Sequence, residues 1–248
     1  MQLLFRKSRY IFLLLAVMPF YFLAACRQPQ TPVEQWQAKT IEAHGGADSL
    51  ARIATIVFKG RISTRNDRGT VVLALSRPQK LRTTMKYSKR SEDRLLLGER
   101  GWRNFGDGFE EAAGHSLAAM IFQYNHLDLP TGLINSNYSI SYVEQKIDDK
   151  AFPALELTGA DGPPMTVIID PETGLIQLVE GRISTGGREV VMAVGYGDYR
   201  EVAGVMLPYR IINYVNGIAI AESRYDTVTV NAELGKNYFS LDSQADVK

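Results

Sequence analysis

Read for chemistry, the 248-residue chain offers few reactive side chains. It has one cysteine, Cys26, and three histidines, His44, His115 and His126. Asp107, Glu110 and Glu111 form a small acidic cluster. The histidines have no metal-ligand spacing, and a solvated or core-edge place accounts for each. His115 precedes Ser116 on a predicted helix, where neighbours point apart, so the two are not a base and its nucleophile. The sequence contains no His-Glu-x-x-His pair, no Gly-x-Ser-x-Gly elbow and no Walker loop. Gly195-Tyr196-Gly197 lacks the third glycine and the following helix of a dinucleotide site. Carboxylates at a helix start complement its dipole, which accounts for the acidic cluster. The expectation is a chain without catalytic residues, metal or cofactor. The enzymatic alternative is a hydrolase, with Asp107 and Glu111 pushed to different pKa values in a cleft.

Cys26 has a telling context. Arg6, Lys7 and Arg9 precede an apolar run from Tyr10 to Leu23. That run is shorter than the roughly 20 residues a membrane span needs, and it has the order of a secretory signal. Leu23-Ala24-Ala25-Cys26 resembles a bacterial lipoprotein lipobox. The resemblance implies cleavage before Cys26, an N-acyl group and an S-diacylglycerol on that residue. It divides the chain into a signal peptide at 1–25, an acylated cysteine and proline-bearing tether at 26–32, and a single domain at 33–248. Arg27, in place of an aspartate after the cysteine, favours the outer membrane facing the periplasm if the envelope is Gram-negative. A lone cysteine leaves no intramolecular disulfide, so the fold must stand on its core.

Composition is that of a folded domain, with 45% hydrophobic and 22% charged residues. A formal charge of +1 gives no electrostatic case for nucleic acid.

The elements follow from periodicity. Val33 to Ala43 reads as a helix stopped by Gly45-Gly46, and a brief second helix runs through Leu50 and Ile53. From Ala54 the apolar period becomes two. Leu81, Thr83, Met85 and Tyr87 share one face, and Lys80, Arg82, Thr84 and Lys86 the other, as in an antiparallel meander with one wet face. Glu110 to Leu127 reads as a helix, with Leu117, Met120, Ile121, Tyr124 and Leu127 on one side. Strand signals resume at Tyr138 and continue to Val230. Asp170-Pro171-Glu172-Thr173-Gly174 and the hairpin signal Asn216-Gly217 mark turns among them. The sum is a mostly β chain (α+β) of about 10–11 strands, in a barrel or a strongly curved antiparallel sheet.

A curved sheet with helices on its concave side can enclose an apolar cavity. Phe58, Met85, Trp102, Phe105, Phe122 and Met192 are the candidates to line it. For any one of them, simple core packing is the plainer role.

The order of motifs resembles a family. Ala43-His44-Gly45-Gly46-Ala47-Asp48-Ser49-Leu50-Ala51-Arg52-Ile53 leads into Phe58-Lys59-Gly60. Ile169 to Leu175 supplies a central turn, and Val205-Met206-Leu207-Pro208-Tyr209-Arg210, Asn216-Gly217 and Val228-Thr229-Val230-Asn231 close the chain. This series is similar to the LolA/LolB-like carriers of outer-membrane lipoproteins. The resemblance implies an incomplete β-barrel plugged by helices around a pocket for acyl chains. It implies a membrane-anchored binder of a lipid, an acylated protein or another hydrophobic ligand. The alternative is an envelope scaffold whose core is filled and whose surface binds another envelope protein. No hydrophobic insertion loop of a lipoprotein acceptor is identifiable in the sequence.

Overall fold

The computed structural model describes residues 30–134, 138–159 and 162–242. The signal segment and Cys26 lie outside the described residues. The domain from Thr31 onward opens with α1 (Pro32–Ala43) and α2 (Ala47–Ala51). Thr31 and Glu34 close a reciprocal capping box on α1. Pro32, expected in an extended tether, is the first residue of this helix, where its missing N–H costs nothing.

Six strands follow: β1 (Thr55–Thr64), β2 (Arg68–Ser76), β3 (Lys80–Tyr87), β4 (Ser91–Leu97), β5 (Arg100–Asn104) and β6 (Phe109–Ala112). Then come α3 (Gly114–Asp128) and α4 (Thr131–Ile134). Seven more strands complete the domain: β7 (Ser139–Ile147), β8 (Lys150–Thr158), β9 (Met165–Ile169), β10 (Ile176–Thr185), β11 (Arg188–Val202), β12 (Val205–Val215) and β13 (Ile218–Val230).

All thirteen strands form one sheet in the order β6-β5-β4-β3-β2-β1-β13-β12-β11-β10-β9-β8-β7. Every neighbouring pair is antiparallel, and β1 joins β13 through nine residue pairs from Ile56–Val230 to Thr64–Ala221. The sheet is open, and its edges are β6 and β7, which are consecutive in the chain. The insert α3–α4 is therefore the connection between the two edges. α3 packs against β2 and β5 in one half and β10 in the other, which lays it across the concave side.

Thirteen strands exceed the 10–11 expected. β6 is one that the sequence conceals, since Glu110-Glu111-Ala112 has helical propensity and reads as the start of α3. Pairing of Phe109–Ala112 with β5 overrides that propensity, and the helix begins only at Gly114. The expected wet face also needs correction. Val57, Ala74 and Arg82 point away from α3, yet all three are buried. Residues after β13 fold over them, and Tyr238 packs against Val57 and Ala74. The Arg82 guanidinium donates to the Tyr238 carbonyl at 2.7 Å and pairs with Asp93.

The two ends of the sheet differ. At one, Gly45 and Gly204 approach so closely that a Cβ on Gly45 would lie 2.2 Å from the Gly204 oxygen. Gly45 also has φ +113°, so the contact demands glycine twice over. The Met206 N–H donates to the His44 carbonyl there. At the other end lie the turns β1–β2, β3–β4, β10–β11 and β12–β13.

Candidate functional site

α3 reaches the sheet because small residues make room for it. A Cβ on Gly181 in β10 would stand 2.6 Å from the Phe122 ring, and one on Gly101 in β5 would meet Met120 at 3.0 Å. The C-terminal end of α3 is tied down twice. Asp128 pairs with Arg77 of the β2–β3 turn, and the Tyr124 hydroxyl accepts the Gln79 N–H at 3.0 Å. Burial pushes the Tyr124 hydroxyl pKa up to about 12, so it stays a neutral phenol.

Between α3 and the sheet lies a cavity of about 660 Å³. That size suits a small-molecule or acyl ligand. Its wall is mainly apolar, with Val71, Leu73 and Met85 from β2 and β3, Met192, Val194 and Ile211 from β11 and β12, and Met120, Phe122 and Leu127 from α3, interrupted by polar side chains such as Thr83 and Asn213. Its rim is unlike its wall. Arg65, Arg90, Arg94 and Arg103 line one side, and Ile218, Ala219 and Ile220 of the β12–β13 hairpin line another. Ile218 is 69% exposed and Ile220 45%.

One carboxylate organises the charged side. Glu92 accepts from Arg94 at 2.7 Å and from Arg103 at 2.6 Å, and its side chain is 6% exposed. Burial raises its pKa, but hydrogen bonds and charge from Arg94, then Arg103, outweigh burial and hold it below the ordinary value. Arg103 also donates to Ser116 at the start of α3 at 3.1 Å.

A far smaller cavity, about 20 Å³, lies on the other side of His126 and Leu127. The Tyr196 hydroxyl donates to the His126 carbonyl at 3.1 Å, which leaves the His126 Nδ1–H to donate to the hydroxyl oxygen at 2.8 Å. Burial lowers the His126 pKa to about 3. Burial likewise lowers His44 to about 4, only partly offset by its hydrogen bond to the Thr40 carbonyl. Both imidazoles are neutral fixtures of the core. His115 is exposed at the large cavity's rim.

Of the six residues proposed from the sequence, Met85, Phe122 and Met192 come together on the large cavity. Phe58 is 2% exposed and borders the small one. Trp102 and Phe105 are not among the lining residues of either. Strand parity is the reason for Trp102: Gly101 and Arg103 face α3, so Trp102 faces away, paired with Leu95 and covered by Arg100. Phe105 sits on the β5–β6 turn, 52% exposed, with Arg103 over its ring. The arginines of the rim were not identified from the sequence, because each belongs to a different strand or turn. The apolar start of β13 had a signal, the alternation Ile218-Ala219-Ile220 directly after Asn216-Gly217.

Glu111 pairs with Arg100 on the surface, and Asp107 and Glu110 are exposed, so no cleft brings these carboxylates together. Among the described residues, no group of three or more His, Cys, Asp or Glu side chains is placed to hold a metal ion. Among the same residues, no helix is long and apolar enough to cross a membrane.

No protein-family model matches the chain, and no curated protein sequence matches it significantly. Solved structures do. The LolA superfamily protein NE2245 from Nitrosomonas europaea superposes with a TM-score of 0.55 at 16% identity, covering 86% of this chain and 99% of that one. A domain from Vibrio parahaemolyticus named for outer membrane lipoprotein sorting superposes with a TM-score of 0.52 at 8% identity, covering 83% and 95%. The fold is LolA-like, an open antiparallel half-barrel with helices on its concave side.

Proposed function

We propose that this chain is a cell-envelope protein that binds the acyl chain of a lipid or an acylated protein between α3 and the sheet. The observation that carries this reading is the apolar cavity of about 660 Å³, walled by Met85, Phe122 and Met192 and open at one end of the half-barrel. Burying an acyl chain there contributes roughly 0.8 kcal/mol per methylene, before the costs of association. The names of the two similar structures point the same way. The alternative is an envelope scaffold that binds another envelope protein through its surface; the cavity of about 660 Å³ between α3 and the sheet favours the ligand reading.

In this reading Cys26 carries the N-acyl and S-diacylglycerol groups and fixes the domain to a membrane, most consistently the outer membrane facing the periplasm. Its partners are the membrane, a hydrophobic ligand or lipoprotein, and an envelope protein that delivers or receives it. Binding and release need no bond-making step, so the protein acts as a carrier or acceptor and not as an enzyme. The test is lipid extraction from the full chain purified from its native membrane, with mass spectrometry of what it retains after gel filtration. A defined acyl species at fixed stoichiometry supports the reading, and a chain that retains none contradicts it. Labelling with an alkyne fatty acid, lost in Cys26→Ser, tests the anchor separately.

A further inference from the structure

We propose that the arginine side of the cavity mouth recognises an acidic head group, phosphate or carboxylate, on the amphiphile whose chain the cavity takes. This rests on the acyl-binding reading and adds the chemistry of the head. Four guanidiniums line the cavity against one carboxylate, an excess of three positive charges with His115 counted neutral. Glu92 is already shared between Arg94 and Arg103, so that trio keeps one net positive charge.

Arg65 and Arg90 have no ion pair among the described residues. Arg90 lies over the Tyr87 ring at 4.9 Å, which orients it without neutralising it. Asp67, on the neighbouring turn, accepts from the Ser88 hydroxyl at 2.7 Å and from the Arg68 N–H at 2.8 Å, and its charge acts on Arg90 without forming an ion pair with it. A third observation is uncharged. Thr83 lines the same cavity, is 2% exposed, pairs across the ladder with Arg94, and its hydroxyl has no hydrogen-bond partner. A buried hydroxyl normally finds a partner, and a head-group or ester oxygen beside Arg94 supplies one. The mouth is thus cationic next to the β1–β2 and β3–β4 turns and apolar at the β12–β13 hairpin, the two-sided surface that an anionic amphiphile fits.

The experiment is calorimetric titration of the full chain held in phosphatidylcholine nanodiscs, with nanodiscs lacking protein subtracted. The probes are dodecyl phosphate, dodecanoate, dodecyl maltoside and inorganic phosphate, each against the wild type and the double variant Arg65→Gln/Arg90→Gln. Both variant positions are exposed, and equal melting temperatures confirm that the fold is kept. The expected result is that both anionic dodecyl probes bind about tenfold tighter than dodecyl maltoside. That preference shrinks as salt is raised and is lost in the double variant, whose dodecyl maltoside affinity is unchanged. Equal binding of charged and neutral dodecyl probes, or a preference that survives in the variant, overturns the head-group proposal and leaves acyl binding standing. Inorganic phosphate binding as tightly as dodecyl phosphate also overturns it, in favour of a bare anion site. No saturable binding of any dodecyl probe overturns the acyl-binding reading itself.

Discussion

Gly181 and Phe122 meet face to face: a Cβ on Gly181 would lie 2.6 Å from two carbons of the Phe122 ring. The backbone of β10 is the floor on which the aromatic side chain of α3 rests. The bare glycine decides how close the helix lies to β10. Gly181→Ala is expected to destabilise the fold by roughly 1–3 kcal/mol through overpacking. Gly197→Ala, whose Cβ would meet nothing nearer than 3.9 Å, is the matched control and changes stability by less than about 0.5 kcal/mol. Urea denaturation of both variants checks this, and equal midpoints would show that α3 does not rest on that floor.

Tyr238 gives a prediction of opposite sign. Its ring is buried against Val57 and Ala74, but its hydroxyl is buried without a hydrogen-bond partner. Burial also raises its pKa to about 12. Tyr238→Phe keeps the packing and removes an unsatisfied polar atom, so stability holds or rises by up to about 1 kcal/mol. Deleting residues 233–248 uncovers Arg82, Val57 and Ala74, and is expected to cost about 3 kcal/mol. Thermal unfolding of the two variants side by side reads both effects, and a destabilised Tyr238→Phe would mean that the hydroxyl has a partner.

His44 and His126 predict acid sensitivity. In the folded chain their pKa values fall from the ordinary 6.5 to about 4 and about 3. Below pH 6.5 the unfolded chain takes up protons that the folded chain refuses, so stability drops as pH falls from 6.5 toward 4. For His44 the loss is on the order of 3 kcal/mol across that window. The His44→Gln variant, which keeps a neutral donor, should show a shallower slope of unfolding free energy against pH between 6.5 and 4. An unchanged slope would place the acid sensitivity elsewhere, for instance in carboxylates such as Glu92, whose depressed pKa makes its contribution vanish at lower pH.

How far the sequence could be read depended on where information was local. The turns at Asp170–Gly174 and Asn216-Gly217, the stop at Gly45-Gly46 and the helical insert all announce themselves within a few residues. The candidates Met85 and Met192 share the cavity because their strand parity turns them toward α3, and Phe122 because it lies on the face of α3 turned to the sheet. What escaped was non-local. Trp102 has the size for a cavity wall, but a single-residue step in β5 turns it to the outer face. Arg82 reads as a wet-face residue until the segment after β13, more than 150 positions later, folds over it. The cationic rim joins residues from β4, β5 and two turns, which only the register of the sheet brings together.

The central claim is that an acyl chain lies between α3 and the sheet, and photocrosslinking in the native envelope tests it most directly. Benzoylphenylalanine replaces Met192, which lines the cavity, or Trp102, which faces away from it, in the full chain. An acyl-lipid or acylated-protein adduct is expected from position 192 and none from position 102. Adducts of equal yield at both positions, or none at 192, would contradict it.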